Sequence, residues 1–171
     1  MAGLDKLKPE QVRVTPDLVG RWRLVAWEIT DRRGRVVRPL GDDAHGLLFY
    51  AADGSMAVQI VAAERPRLGT ADPLGGSERQ RAAAYSTCLA YSGRYAVRGE
   101  TVVHEVEVSL FPDWTGVEQV RLFELAGDEL ALRTPPIAAG DTTVTVELRW
   151  ARDTMESPIV PPSACNDQAT A

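Results

Sequence analysis

The sequence predicts an all-β fold, an eight-stranded up-and-down antiparallel β-barrel with one short helix between strands. Three observations predict it. Eight segments carry strand-type apolar alternation, most successive segments are joined by short turn-forming loops, and 171 residues suit one domain with a core of its own. Closing a meander of this many strands removes the two unpaired edges that an open sheet would expose. An open antiparallel sandwich is the alternative.

The elements follow in order. Residues 19–30 alternate, and the turn at Asp31-Arg32-Arg33-Gly34 ends them; Val36 and Val37 form a weaker, short strand before Pro39. Residues 47–51 and 56–61 flank Asp53-Gly54, a strong hairpin signal. Ser77 and Gln80 have the spacing of a capping box, so a helix is expected over residues 78–89. It is either a cover over a barrel mouth or a plain connector. Residues 90–97 and 101–110 flank Gly99-Glu100, residues 117–125 and 129–134 flank Gly127-Asp128, and a last strand covers residues 142–150. Residues 1–16 are expected to be a flexible segment, 17–152 the barrel domain, and 153–171, rich in proline and small polar residues, a disordered tail.

Composition narrows the function. Net charge is −5, the seventeen arginines are scattered and only two lysines occur, so no basic stripe is available for nucleic acid. No stretch reaches the ~20 apolar residues of a membrane-spanning helix, and the first residues lack the apolar run of a secretory signal. Cytoplasmic localisation is the expectation. Cys88 and Cys165 make no disulfide framework, and His45 and His104 lack metal-ligand spacing, so no metal and no cofactor are expected. Cys88 reads as a structural thiol.

Alternation assigns the inward faces. Val102, His104, Val106, Val108 and Leu110 share one face of their strand, opposite Glu105 and Glu107. A two-residue loop at Gly99-Glu100 sets Tyr95 against His104 and Tyr91 against Val108. Pairing Leu125 with Leu130 puts Gln119, Arg121, Phe123, Leu132 and Thr134 on one face. Trp22, Leu24, Ala26 and Glu28 are expected inward, with Arg21, Arg23, Val25 and Trp27 outward. Leu47, Phe49, Met56, Val58 and Ile60 complete the wall, with residues 144, 146, 148 and 150 of the last strand. The result is an apolar hollow with a few polar groups, the usual make-up of a small-molecule site.

Within it, His104 is the candidate proton carrier and Tyr95 its partner; a satisfied core histidine is the plain alternative. Arg121 is a candidate for holding a carboxylate or enolate oxygen, or a structural pair with Glu28, which is itself either a general base or a counter-ion. Trp22, Phe49, Met56, Val58, Tyr91, Val106, Trp114, Gln119 and Phe123 are candidate ligand contacts, Trp114 lying on a loop that lines or plugs one barrel end.

Gly20-Arg21-Trp22 has the G-x-W form that opens the first strand of lipocalins. Together with residues 18–28, 89–95, 104–114 and 132–136, it makes residues 17–152 resemble the bacterial and fungal lipocalin-like domain proteins. The resemblance implies an eight-stranded barrel with a central cavity, and an arginine packed over the first-strand tryptophan, for which Arg149 is the candidate. It does not imply a reaction. Two functions stay open: a cofactor-independent cyclase or isomerase acting on a polyketide-like metabolite, and a non-catalytic carrier or scavenger of a small hydrophobic molecule. The chain is expected to act as a monomer or homodimer.

Overall fold

The computed structural model describes residues 16–154. Most of the expected flexible segment 1–16 and disordered tail 153–171, with Cys165, lies outside the described residues. Ten strands form in order: β1 (Gly20–Asp31), β2 (Val36–Val37), β3 (His45–Tyr50), β4 (Ser55–Val61), β5 (Cys88–Arg98), β6 (Thr101–Ser109), β7 (Glu118–Ala126), β8 (Glu129–Arg133), β9 (Ile137–Ala139) and β10 (Thr142–Arg152). Eight of them close a barrel in the order β1-β3-β4-β5-β6-β7-β8-β10, with β10 returning to pair with β1. Strands β2 and β9 are short additions alongside β1 and β10. Strand β9 was not expected; its three residues are all exposed and show no alternation that would reveal it.

The one helix, α1 (Glu78–Ser86), starts at the predicted capping box: Ser77 accepts from the Gln80 backbone while the Gln80 side chain accepts from the Ser77 N–H. It ends earlier than expected, because Cys88 and Leu89 begin β5. No residue of α1 is buried, so it does not plug the barrel. Arg65 ties its end down by donating to the Ala84 carbonyl and Thr87 Oγ1. Among the described residues, no helix is long and apolar enough to cross a membrane.

Two irregularities redirect side chains that strict alternation misplaces. In β1 the register against β10 shifts between Leu24 and Ala26, leaving Val25 as the extra residue. Trp22 and Leu24 still face inward, but beyond the bulge Trp27 packs against the core, and Glu28 turns to the surface. In β6 the register shifts where Ser92 pairs with Val108 and Gly93 with Val106. Tyr91 consequently faces Ser109 rather than Val108, and Val108 is 66% exposed instead of inward. Gly93 is required here, since a Cβ on it would lie 2.0 Å from the Glu105 carbonyl oxygen.

One end of the barrel is sealed. A single 3₁₀ turn, Pro16–Leu18, carries Leu18 fully buried beneath β1, and Trp22 Nε1 donates to the Leu18 carbonyl at 2.9 Å. Arg152, not Arg149, lies over the Trp22 ring, its guanidinium carbon 4.2 Å from the centroid. The same guanidinium donates to the carbonyls of Val19 and Asp17 and pairs with Asp128. It locks the chain before β1 to the end of β10. Arg152→Ala is expected to cost about 2 kcal/mol in urea unfolding, the scale of a cation–π contact plus charged hydrogen bonds.

Candidate functional site

His104 sits mid-strand in β6 and is 1% exposed. Its inward direction follows from the alternation of Val102, His104 and Val106, all buried. Cα register places it opposite Tyr95, as the hairpin predicts. Yet Tyr95 does not serve it. The Tyr95 hydroxyl donates to the Ala51 carbonyl at 3.0 Å, because the long side chain reaches past its cross-strand neighbour. The partners of His104 are Tyr50, whose hydroxyl lies 2.6 Å from Nε2, and Tyr91, whose hydroxyl lies 2.9 Å from Nδ1.

Tyr50 was absent from the expected site, and Phe49 was placed there instead. The structure reverses them: Gly46, Leu48 and Tyr50 point inward, and Phe49 is exposed on the outer wall. The signal that locates Tyr50 is the hairpin itself. Tyr50 pairs directly with Met56, so it shares a face with Met56, Val58 and Ile60, all buried.

Arg121 enters from β7 and is 7% exposed. Its terminal nitrogens donate to the Val120 carbonyl and to Gln119 Oε1, while its Nε–H has no partner. The expected pairing with Glu28 is not made. Glu28 lies toward the surface against Arg38, at 2.7 Å, with Arg149 at 3.7 Å, so it takes no part in the interior. No ion pair of Arg121 is found among the described residues.

These groups meet around an enclosed cavity lined by Leu48, Val58, Ile60, Leu89, Tyr91, His104, Arg121, Leu132, Leu148 and Trp150. Its volume is about 20 Å³, far less than the roomy hollow the sequence suggests, and the interior around it is packed with buried apolar and aromatic side chains, Trp27 beyond the β1 bulge packing against them. A second buried donor, Trp150 Nε1, also lines it without a partner. Of the other expected contacts, Trp22, Met56, Tyr95, Val106 and Phe123 pack in the core without lining this cavity, and Gln119 serves Arg121. Trp114 stands edge-on to Tyr91, ring centroids 5.5 Å apart, on a 3₁₀ turn (Pro112–Trp114). On the outer wall, Leu47, Phe49, Val108 and Leu110 line an apolar groove of about 360 Å³ that borders Val58 and Tyr91, which the interior cavity also touches. Among the described residues, no group of three or more histidine, cysteine or acidic side chains is placed to hold a metal.

The electrostatics of the site are those of a dry interior beside a fixed cation. Burial, and secondarily Arg121, push His104 down to about 3, so its imidazole is neutral at physiological pH. Burial raises both tyrosines, Tyr50 also through Tyr91, and Arg121 opposes the rise in each. All three groups of the His104 cluster are therefore uncharged, and Arg121 is the charged member of the lining.

A closed eight-stranded antiparallel barrel with buried polar groups around a small interior cavity is a lipocalin-like architecture. A family profile described as a lipocalin-like domain matches residues 19–153, and the chain belongs to that family. It is also 34% identical, over 87 residues, to the 4'-hydroxy-3'-methoxypropiophenone carrier protein of Aspergillus oryzae; the match covers 46% of this chain and 78% of the relative.

Proposed function

We propose that the chain is a carrier that holds one small, largely apolar molecule in the barrel, with an oxygen acceptor of that molecule placed against Arg121 and Trp150. The observation that carries this reading is that two of the three unpartnered buried side-chain donors among the described residues, Arg121 Nε and Trp150 Nε1, belong to residues lining one cavity; the third is Trp27 Nε1. Buried donors are nearly always satisfied, and an exception calls for a reason. The carrier function named for the relative supports the same reading.

The cavity must widen for an aromatic ring. Four of its apolar lining residues are leucines, whose rotamers can change without moving the strands. A cyclase or isomerase would ask His104 to move a proton near neutral pH. An imidazole held near 3, with both nitrogens already bonded to tyrosines, is a poor base there. The geometry thus favours carriage over proton transfer.

The test is titration with 4'-hydroxy-3'-methoxypropiophenone, followed by recovery of the molecule and its inspection by NMR, which detects an isomer of unchanged mass. Saturable binding to one site and recovery of the unaltered molecule are expected. Leu132→Phe, which fills the cavity, is expected to weaken binding at least about tenfold. Conversion of the molecule, or unchanged affinity in Leu132→Phe, would contradict the proposal.

A further inference from the structure

We infer that the bound molecule is held as an oxyanion, a phenolate, enolate or carboxylate, with its charged oxygen against the Nε–H of Arg121; this rests on the carrier reading above. The cluster carries more hydrogens than its contacts use. A neutral imidazole offers one N–H and one lone pair, and each tyrosine offers one O–H. His104, Tyr50 and Tyr91 thus bring three hydrogens to two contacts, so in either tautomer one tyrosine keeps an O–H to donate elsewhere. Adding Arg121 Nε–H and Trp150 Nε1–H, the site has surplus donors. Of the side-chain acceptors near Arg121, Gln119 Oε1 is already engaged and the Tyr91 hydroxyl is shared with His104, while Arg121 Nε–H keeps no partner.

Charge points the same way. A guanidinium keeps its proton under all physiological conditions. Arg121 is over nine-tenths buried, its protein partners are all neutral oxygens, of Val120, Gln119 and the Tyr91 hydroxyl, and it makes no ion pair among the described residues. A neutral oxygen would satisfy the free N–H yet leave the buried charge uncompensated, whereas an anion answers both. Unpartnered donors on residues that line one buried cavity are the kind of groups that stabilise negative oxygen. The proton lost by the acid goes to the buffer, since the imidazole is already held neutral by its surroundings.

The experiment uses a 4-hydroxyaryl ketone, its 4-methoxy ether and its 4-carboxy analogue, at a pH where the free phenol is un-ionised. The expected result is a phenolate absorption band on binding, with the ether at least about tenfold weaker. Arg121→Met is expected to abolish the band and to bring phenol and ether to equal affinity, with far-ultraviolet circular dichroism confirming the fold. Binding of the carboxylate alone would also support the inference, assigning a carboxylic acid as the source of the anion. Equal binding of phenol and ether without a band overturns the inference and leaves a carrier of neutral molecules. Saturable binding of none of the three overturns the carrier reading together with it.

Discussion

Arg121→Met is expected to raise stability and weaken ligand binding at once. The wild-type chain keeps a guanidinium inside the barrel with one N–H unpartnered and no carboxylate paired to it. Replacing buried ion pairs by apolar side chains of similar volume is often neutral or stabilising by about 1–4 kcal/mol, and an unpaired buried guanidinium carries the desolvation cost without the attraction of a counter-charge. For a domain of this size each kcal/mol moves the thermal midpoint by about 2–4 °C. Some of the gain is offset, because the Val120 carbonyl and Gln119 lose their donor. Ligand affinity should fall about 10- to 100-fold, the scale of a lost charge-assisted contact. A merely structural arginine behaves differently: its removal lowers stability and leaves affinity unchanged. Thermal melts and calorimetric titrations of the one variant separate the two.

Acidification is expected to destabilise the fold through His104. The unfolded histidine titrates near 6.5, and the folded one is held down to about 3 by burial and by Arg121. Between those values the unfolded chain binds a proton that the folded chain refuses, so stability falls as pH drops and the effect is absent above about 6.5. The slope from this group is about 1.4 kcal/mol per pH unit while the difference persists. His104→Gln removes the titration and can still bond Tyr50 and Tyr91. Urea midpoints of the two proteins at pH 7 and pH 4.5 should therefore converge or cross as the pH falls, the wild type losing more. Parallel losses in both would mean that His104 titrates alike in the folded and unfolded states.

Much of this architecture was legible in the sequence because hairpins write their own register. The Gly99-Glu100 and Gly127-Asp128 turns correctly set Tyr95 against His104 and Leu125 against Leu130. Bulges are where alternation fails. Nothing in the hydropathy of β1 marks Val25 as an extra residue, so Glu28 was read as interior when it is a surface partner of Arg38. For the shift in β6 the clue is Gly93 on the facing strand β5, a position where two backbones approach too closely for a side chain. Phe49 and Tyr50 were exchanged for another reason: both are aromatic neighbours, and hydrophobicity alone prefers the phenylalanine inside. A buried tyrosine needs a partner, and His104, distant in sequence, supplies it. The narrowness of the cavity was not legible at all, since volume depends on how side chains from all the strands meet.

The central claim is that the barrel interior beside His104, and not the apolar groove on the outer wall, receives the small molecule. Nitrogen-15 NMR of the side chains tests it most directly during titration with a hydroxyaryl ketone. The prediction is saturable movement of the Trp150 Nε1–H, Arg121 Nε–H and His104 imidazole signals. Stationary signals from those three, with movement confined to the backbone amides of Phe49, Val108 and Leu110, would contradict it.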